Sequence, residues 1–167
     1  QVKFFVDGVT IQNYPGEAVW LDGSLPVSGF SRNGSGDYQA RWTHEFDHSG
    51  SFTKGESGDG YFAFVGEHNK MAAWPAQVFL GGRQLRQVES NPGPGEFARD
   101  YGRDLVILGE DPAGREVRAS SKEQALFIGG SNNTIQGIGI RRYASGLTSL
   151  GTIYMMNGGH TGRDVVI

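Results

Sequence analysis

Residues 127–136 read FIGGSNNTIQ, and residues 5–12 read FVDGVTIQ. A Phe, a β-branched apolar residue, a Gly and the tripeptide Thr-Ile-Gln return in one order across more than a hundred intervening positions. Thr10 to Thr134 is an offset of 124 residues, and Phe5-Val6 aligns with Phe127-Ile128 if two extra turn residues are allowed in the second copy. A weaker echo runs from residues 133–140 to residues 161–167, each a polar turn leading into Ile or Val.

Working outward, nearly every other segment is short and β-rich. Residues 2–6, 9–12, 18–21, 40–46, 61–65, 77–80, 83–88, 105–108, 116–119, 126–128, 134–140, 152–156 and 164–167 read as strands. Gly, Pro, Asn or Asp fills almost every gap, as tight turns require. The chain holds 27 glycines in 167 residues, roughly 16% against a usual share of about 7%. No segment of helical length carries a 3.6-residue apolar period; residues 121–126 are the best short helix candidate.

Short strands that recur with Asn and Gly at the corners suit coils of a right-handed parallel β-helix. One coil cannot bury its inner face alone and stacks on the next. The fold class expected is therefore all-β: about three coils of partial β-helix, interrupted by a small, mainly antiparallel insert. Residues 1–23 form the first coil, 24–120 the insert and 121–167 the following coils. The insert has its own character, since Trp42, Phe46, Phe52, Tyr61, Phe62, Phe64, Trp74, Phe79, Phe97 and Tyr101 all fall in it. Both ends read as strands, which implies a longer parent.

Composition excludes several function classes. Fifteen basic and 18 acidic residues give a net charge of -3 without a basic block, so neither nucleic acid nor an anionic membrane is expected as a partner. Apolar runs such as residues 105–108 are far short of the roughly 20 residues of a membrane helix. With no cysteine there is neither a disulfide framework nor a thiolate zinc site.

At this point the residues carry a resemblance. Residues 9–23 (VTIQNYPGEAVWLDG) resemble the first coil of bacterial right-handed parallel β-helix repeat proteins, the superfamily of pectate lyases and chondroitinase B- or alginate lyase-like enzymes. Residues 46–49 (FDHS), 71–75 (MAAWP), 78–88 (VFLGGRQLRQV), 108–117 (LGEDPAGREV) and 138–143 (IGIRRY) are similar to an insert and following coil of secreted actinobacterial members. The resemblance implies an extracellular segment that binds a polysaccharide, as part of a lyase or glycoside hydrolase if it is an enzyme at all. The alternative is a non-catalytic structural or adhesive surface module.

Candidate residues follow from what an acidic glycan demands. A lyase must neutralise the substrate carboxylate, remove the proton beside it and protonate the leaving oxygen. Arg141, Arg142 and Tyr143 follow a strand, and His160 sits one coil later; these are the catalytic candidates. Ordinary solvent-facing arginines are the competing reading. Aromatic faces suit the C–H face of a pyranose, so Trp42, Tyr61 and Trp74 are the substrate-binding candidates, with Trp20 a fourth aromatic to weigh. In so small an insert most of these must build the core instead.

Metal chemistry is a lesser option. In the run His44-Glu45-Phe46-Asp47-His48 a strand sends the histidines one way and the carboxylates the other, which favours a solvated face over a metal site. Asp7, Asp22 and Asp111 lie in Asp-Gly or Asp-Pro turns, where calcium is the secondary reading. No cofactor is expected, and residues 55–60 (GESGDG) lack the Lys-Ser/Thr of a phosphate loop. Exposed coil edges make self-association the remaining partner expectation.

Overall fold

The structure, a computed structural model, describes residues 1–46, 71–146 and 151–155. The expected strands at 61–65 and 164–167, the echo at 161–167, and His48, Tyr61, His160 and the 55–60 loop lie outside these. The protein is all-β, and no α-helix occurs among the described residues.

Among the described residues, sixteen strands form five small sheets of mixed pairing. The Thr-Ile-Gln repeat is a strand pair: β2 (Thr10–Gln12) lies parallel to β14 (Thr134–Gln136), with Thr10 opposite Thr134, Ile11 opposite Ile135 and Gln12 opposite Gln136. Like stacks on like, and the Gln136 amide donates to the Gln12 carbonyl oxygen at 2.6 Å. Before it, β1 (Val2–Phe4) pairs in parallel with β13 (Leu126–Ile128), which in turn pairs with β16 (Ile153–Met155). After it, β3 (Val19–Asp22) pairs in parallel with β15 (Ile138–Arg141).

The offset of 124 holds through β1 as well, and it corrects the sequence alignment. Lys3, not Phe5, lies opposite Phe127. Phe5 instead reaches over from beyond the strand end, its ring 5.5 Å from that of Phe127. The corners explain why the register persists. Asp7 accepts the Ser131 amide at 2.7 Å and Asn133 accepts the Val9 amide at 2.8 Å, each bond again spanning 124 residues.

Inward-pointing residues of these three pairings make one core. Leu126, Ile128, Ile135 and Tyr143 are buried, with Phe4, Ile11, Leu21, Ile140 and Ile153 packed against them.

Between β3 and β13 the chain builds two further sheets. β4 (Ser24–Val27), β12 (Val117–Ser120), β7 (Val78–Leu80) and β8 (Arg83–Gln84) are antiparallel in that order. The second sheet runs β5 (Ser31–Arg32), β6 (Tyr38–Arg41), β11 (Leu105–Leu108), β10 (Glu96–Asp100) and β9 (Arg86–Val88), with only β9 and β10 parallel. Side chains from both sheets meet in a second core around Val27, Trp42, Leu80, Phe97, Val106 and Leu108. Fully buried side chains such as Phe97 and Leu108 contribute roughly 1.5–3 kcal/mol each.

Several expected elements differ. Residues 121–126 are not helical: the Ser121 and Lys122 amides both turn to the Gly23 carbonyl, and Leu126 opens β13. The strand expected at 40–46 stops at Arg41 because the carbonyls of Trp42 and His44 are drawn to the Arg99 guanidinium, at 2.9 and 3.1 Å. Three strands, β4, β5 and β10, were not expected. Pro26 in β4 is tolerated because β4 lies at a sheet edge.

Candidate functional site

The β3/β15 pairing sets Gly139 opposite Trp20 and Arg141 opposite Asp22. Strand alternation sends these four residues to the outer face while Leu21 and Ile140 point into the core. A Cβ on Gly139 would run into the Trp20 ring, so the indole lies across the glycine with nothing between. Trp20 is nonetheless 53% exposed. The Arg141 guanidinium carbon sits 5.0 Å from its ring centroid, within cation–π range.

Asp22 organises the charges beside this platform. Its Oδ2 accepts Arg141 Nε at 2.9 Å and Arg142 Nη1 at 3.2 Å. Its Oδ1 accepts the Ser24 amide at 2.9 Å and the Ser24 hydroxyl at 2.6 Å. Partial burial pushes the carboxyl up, but the Ser24 bonds and the two arginines together outweigh it and hold Asp22 below its ordinary value. Ser24 is itself gripped by Arg118, which donates from Nε to the hydroxyl at 2.9 Å and from Nη2 to the carbonyl at 3.0 Å. Arg141 thus spends its Nε on Asp22, and its side chain is 44% exposed.

The expected catalytic group divides. Arg141 and Arg142 come together on Asp22, whereas Tyr143 turns inward. Its ring packs on Gly23, where an added Cβ would lie 2.6 Å from it, and burial followed by the Asp22 charge pushes its phenol up. Arg142 adopts a positive φ of 62°, a corner conformation costly for a residue with a Cβ. Its guanidinium lies 4.8 Å from the Phe79 ring centroid, so it fastens the end of β15 to β7.

The expected sugar-binding aromatics divide too. Trp42 is buried in the second core, with its ring 4.7 Å from that of His44, and is structural. Trp74 is half-buried and stacks on Tyr101 at 4.8 Å. It lines a cavity of about 280 Å³ with Met71, Gln87, Val88, Glu89, Arg99 and Tyr101. Arg99 is buried against the Tyr101 ring and has no ion-pair partner among the described residues.

Of the metal options, Phe46 is buried and His44 half-buried, with burial, then Lys122 and Arg99, lowering the His44 pKa. No group of three or more His, Asp or Glu able to hold a metal occurs among the described residues. The carboxylates of Asp7, Asp22 and Asp111 each accept hydrogen bonds from the chain itself. No helix among the described residues is long and apolar enough to cross a membrane.

Trp20 was one of four aromatics in the sequence with a claim on a sugar. The residue that sequence reading passed over is Gly139. Its signal was the alternation Ile138-Gly139-Ile140, a strand with an empty outer position where a partner's ring can lie. Comparison with protein-family models, with curated proteins and with solved structures finds no match to this chain.

Proposed function

We propose that this chain is a segment of an extracellular right-handed parallel β-helix, with residues 24–120 inserted after its first coil, and that it binds a polysaccharide on its outer face. The observation that carries the proposal is the exposed Trp20 indole, backed by Gly139 and flanked by Arg141. An aromatic face takes the C–H face of a pyranose, and the guanidinium N–H groups not used on Asp22 suit hydroxyl or carboxylate oxygens. The parallel, in-register pairing of β1, β2 and β3 with β13, β14 and β15 supports the solenoid part of the proposal.

Binding without turnover is the form we favour over a lyase or hydrolase. Tyr143 is buried against Gly23, and Arg142 is held between Asp22 and Phe79. Neither is presented to a polymer on the outer face as an acid or base would be.

The test is retention on a panel of immobilised acidic and neutral polysaccharides, with product formation followed in parallel. Trp20→Ala should weaken retention roughly two- to tenfold, the scale of one lost stacking contact. Equal retention of the variant would remove Trp20 from the site. Turnover that vanishes in Arg142→Ala with the fold intact would reverse the preference for binding alone.

A further inference from the structure

We infer, resting on the polysaccharide reading of the Trp20 platform, that Ser24 and Arg118 are positioning residues for it: acting through Asp22, they hold the Arg141 guanidinium against the indole in its sugar-binding rotamer. The role of residues 24–120 at this site is to brace it.

The strands that carry the brace stand beside the platform. β4 begins at Ser24, just past Asp22 at the end of β3. β12 returns antiparallel to it, with Ser120 opposite Ser24 and Arg118 opposite Pro26. Strand alternation puts Ser24 and Arg118 on one face, so Arg118 reaches Ser24 along the diagonal. Ser24 is buried, and its contacts are therefore with protein groups.

The direction of each hydrogen bond follows from what the groups can do. Arginine only donates, so Arg118, with Nε on the Ser24 hydroxyl oxygen, leaves the hydroxyl proton to point at Asp22 Oδ1, 2.6 Å away. Glu116 accepts Arg118 Nη1 at 2.9 Å and steadies the guanidinium from its other side. Asp22 then holds four donors, the Ser24 amide and hydroxyl on Oδ1 and Arg141 and Arg142 on Oδ2, which fill the roughly four acceptor positions of a carboxylate. A carboxylate so filled takes no sugar hydroxyl. What it does is fix Arg141, binding its Nε while the guanidinium carbon lies 5.0 Å from the Trp20 ring centroid.

Arg141 is the part of the platform that needs fixing. The Trp20 indole is seated by contact with Gly139, whereas the Arg141 side chain is 44% exposed and long. Such a side chain loses less rotamer freedom on binding if it is already held in place. Arg142 adds a second tether to the same sheet, since it shares Asp22 Oδ2 and lies against the Phe79 ring of β7.

The test measures acrylamide quenching of Trp20, obtained by difference from Trp20→Phe, and retention on polysaccharide. Asp22→Asn, Ser24→Ala and Arg118→Met are each made with and without Arg141→Ala. Each should keep the far-ultraviolet spectrum, raise the quenching of Trp20 and weaken retention about two- to tenfold, the scale of holding one long side chain in its bound rotamer. In chains that carry Arg141→Ala the same three substitutions should change neither reading, because nothing is left to position. Losses that persist undiminished in those chains would make Ser24 and Arg118 supports of the fold alone and overturn the inference. Retention lost in Trp20→Ala but kept in all three variants would overturn it while leaving the polysaccharide reading intact. Retention indifferent to Trp20→Ala would sink that reading, and the positioning role with it.

Discussion

At the scale of single residues, the paired glycines of FIGG are explained by what lies over them. The Phe5 ring covers Gly129, where an added Cβ would come within 2.5 Å of it, and the Val6 carbonyl covers Gly130. A ring can tilt, but a backbone carbonyl has little freedom to withdraw. Gly130→Ala should therefore destabilise the fold by about 2 kcal/mol or more, and Gly129→Ala by less, as read by urea unfolding. Equal effects would mean that the Val6 carbonyl does not sit where it is described. Asn133 is fixed by a similar local demand: it is fully buried and its carbonyl oxygen accepts the Val9 amide, so its side chain closes the corner.

At the scale of elements, the outer face of β3 and β15 is a fitted pair. Gly139→Ala should push the Trp20 indole off the sheet, changing its fluorescence and weakening polysaccharide retention while β15 stays paired. Unchanged emission and retention would show that the ring does not lie on Gly139. Much of this level was legible in the sequence. Thr-Ile-Gln occurring twice placed β2 against β14, because identical strands with identical corners stack in register. What escaped was set by distant partners. The Trp42 carbonyl turns to a buried Arg99 fifty-seven residues away, which ends β6 early. The Gly23 carbonyl gathers Ser121 and Lys122 and prevents a helix there. β10, Glu-Phe-Ala-Arg-Asp, lacks β-branched residues and is a strand because β9 and β11 flank it. For the site, Arg141 could be singled out from its place after a strand. That Arg142 and Tyr143 turn to Phe79 and Gly23 depends on a positive φ at the corner that no local pattern marks.

At the scale of the whole molecule, charge and connectivity make the predictions. Asp22, Glu96, Asp100, Glu110 and Asp111 all titrate below their ordinary values. Hydrogen bonds from backbone or side chains, joined by arginines, outweigh the burial that opposes them. Glu110 alone accepts Arg115, the Gly95 amide and Arg83. A carboxylate with a depressed folded pKa adds stability that is complete above its unfolded value and is lost as pH falls through the folded one. Unfolding free energy should therefore slip modestly below about pH 6.5, where His44 stays neutral in the fold while the unfolded chain takes up its proton, and fall more steeply below about pH 4, the unfolded carboxylate range. A loss that is complete by about pH 5, with no further fall below about pH 4, would assign the pH dependence to His44 and away from the carboxylates.

Everything proposed for the outer face requires that strands from the two ends of the chain, β2 with β14 and β3 with β15, lie side by side. The chain has no cysteine, so a pair can be introduced cleanly at Gln12→Cys and Gln136→Cys, positions that are opposite, exposed and hydrogen-bonded to each other. Neighbouring strands lie about 4.8 Å apart, inside the span a disulfide bridges. Mild oxidation should convert the monomer quantitatively to a faster-migrating, reducible band, and the closed loop should add up to about 4 kcal/mol against unfolding. Two free thiols that persist in the folded, oxidised protein would contradict the register, and with it the site built on β3 and β15.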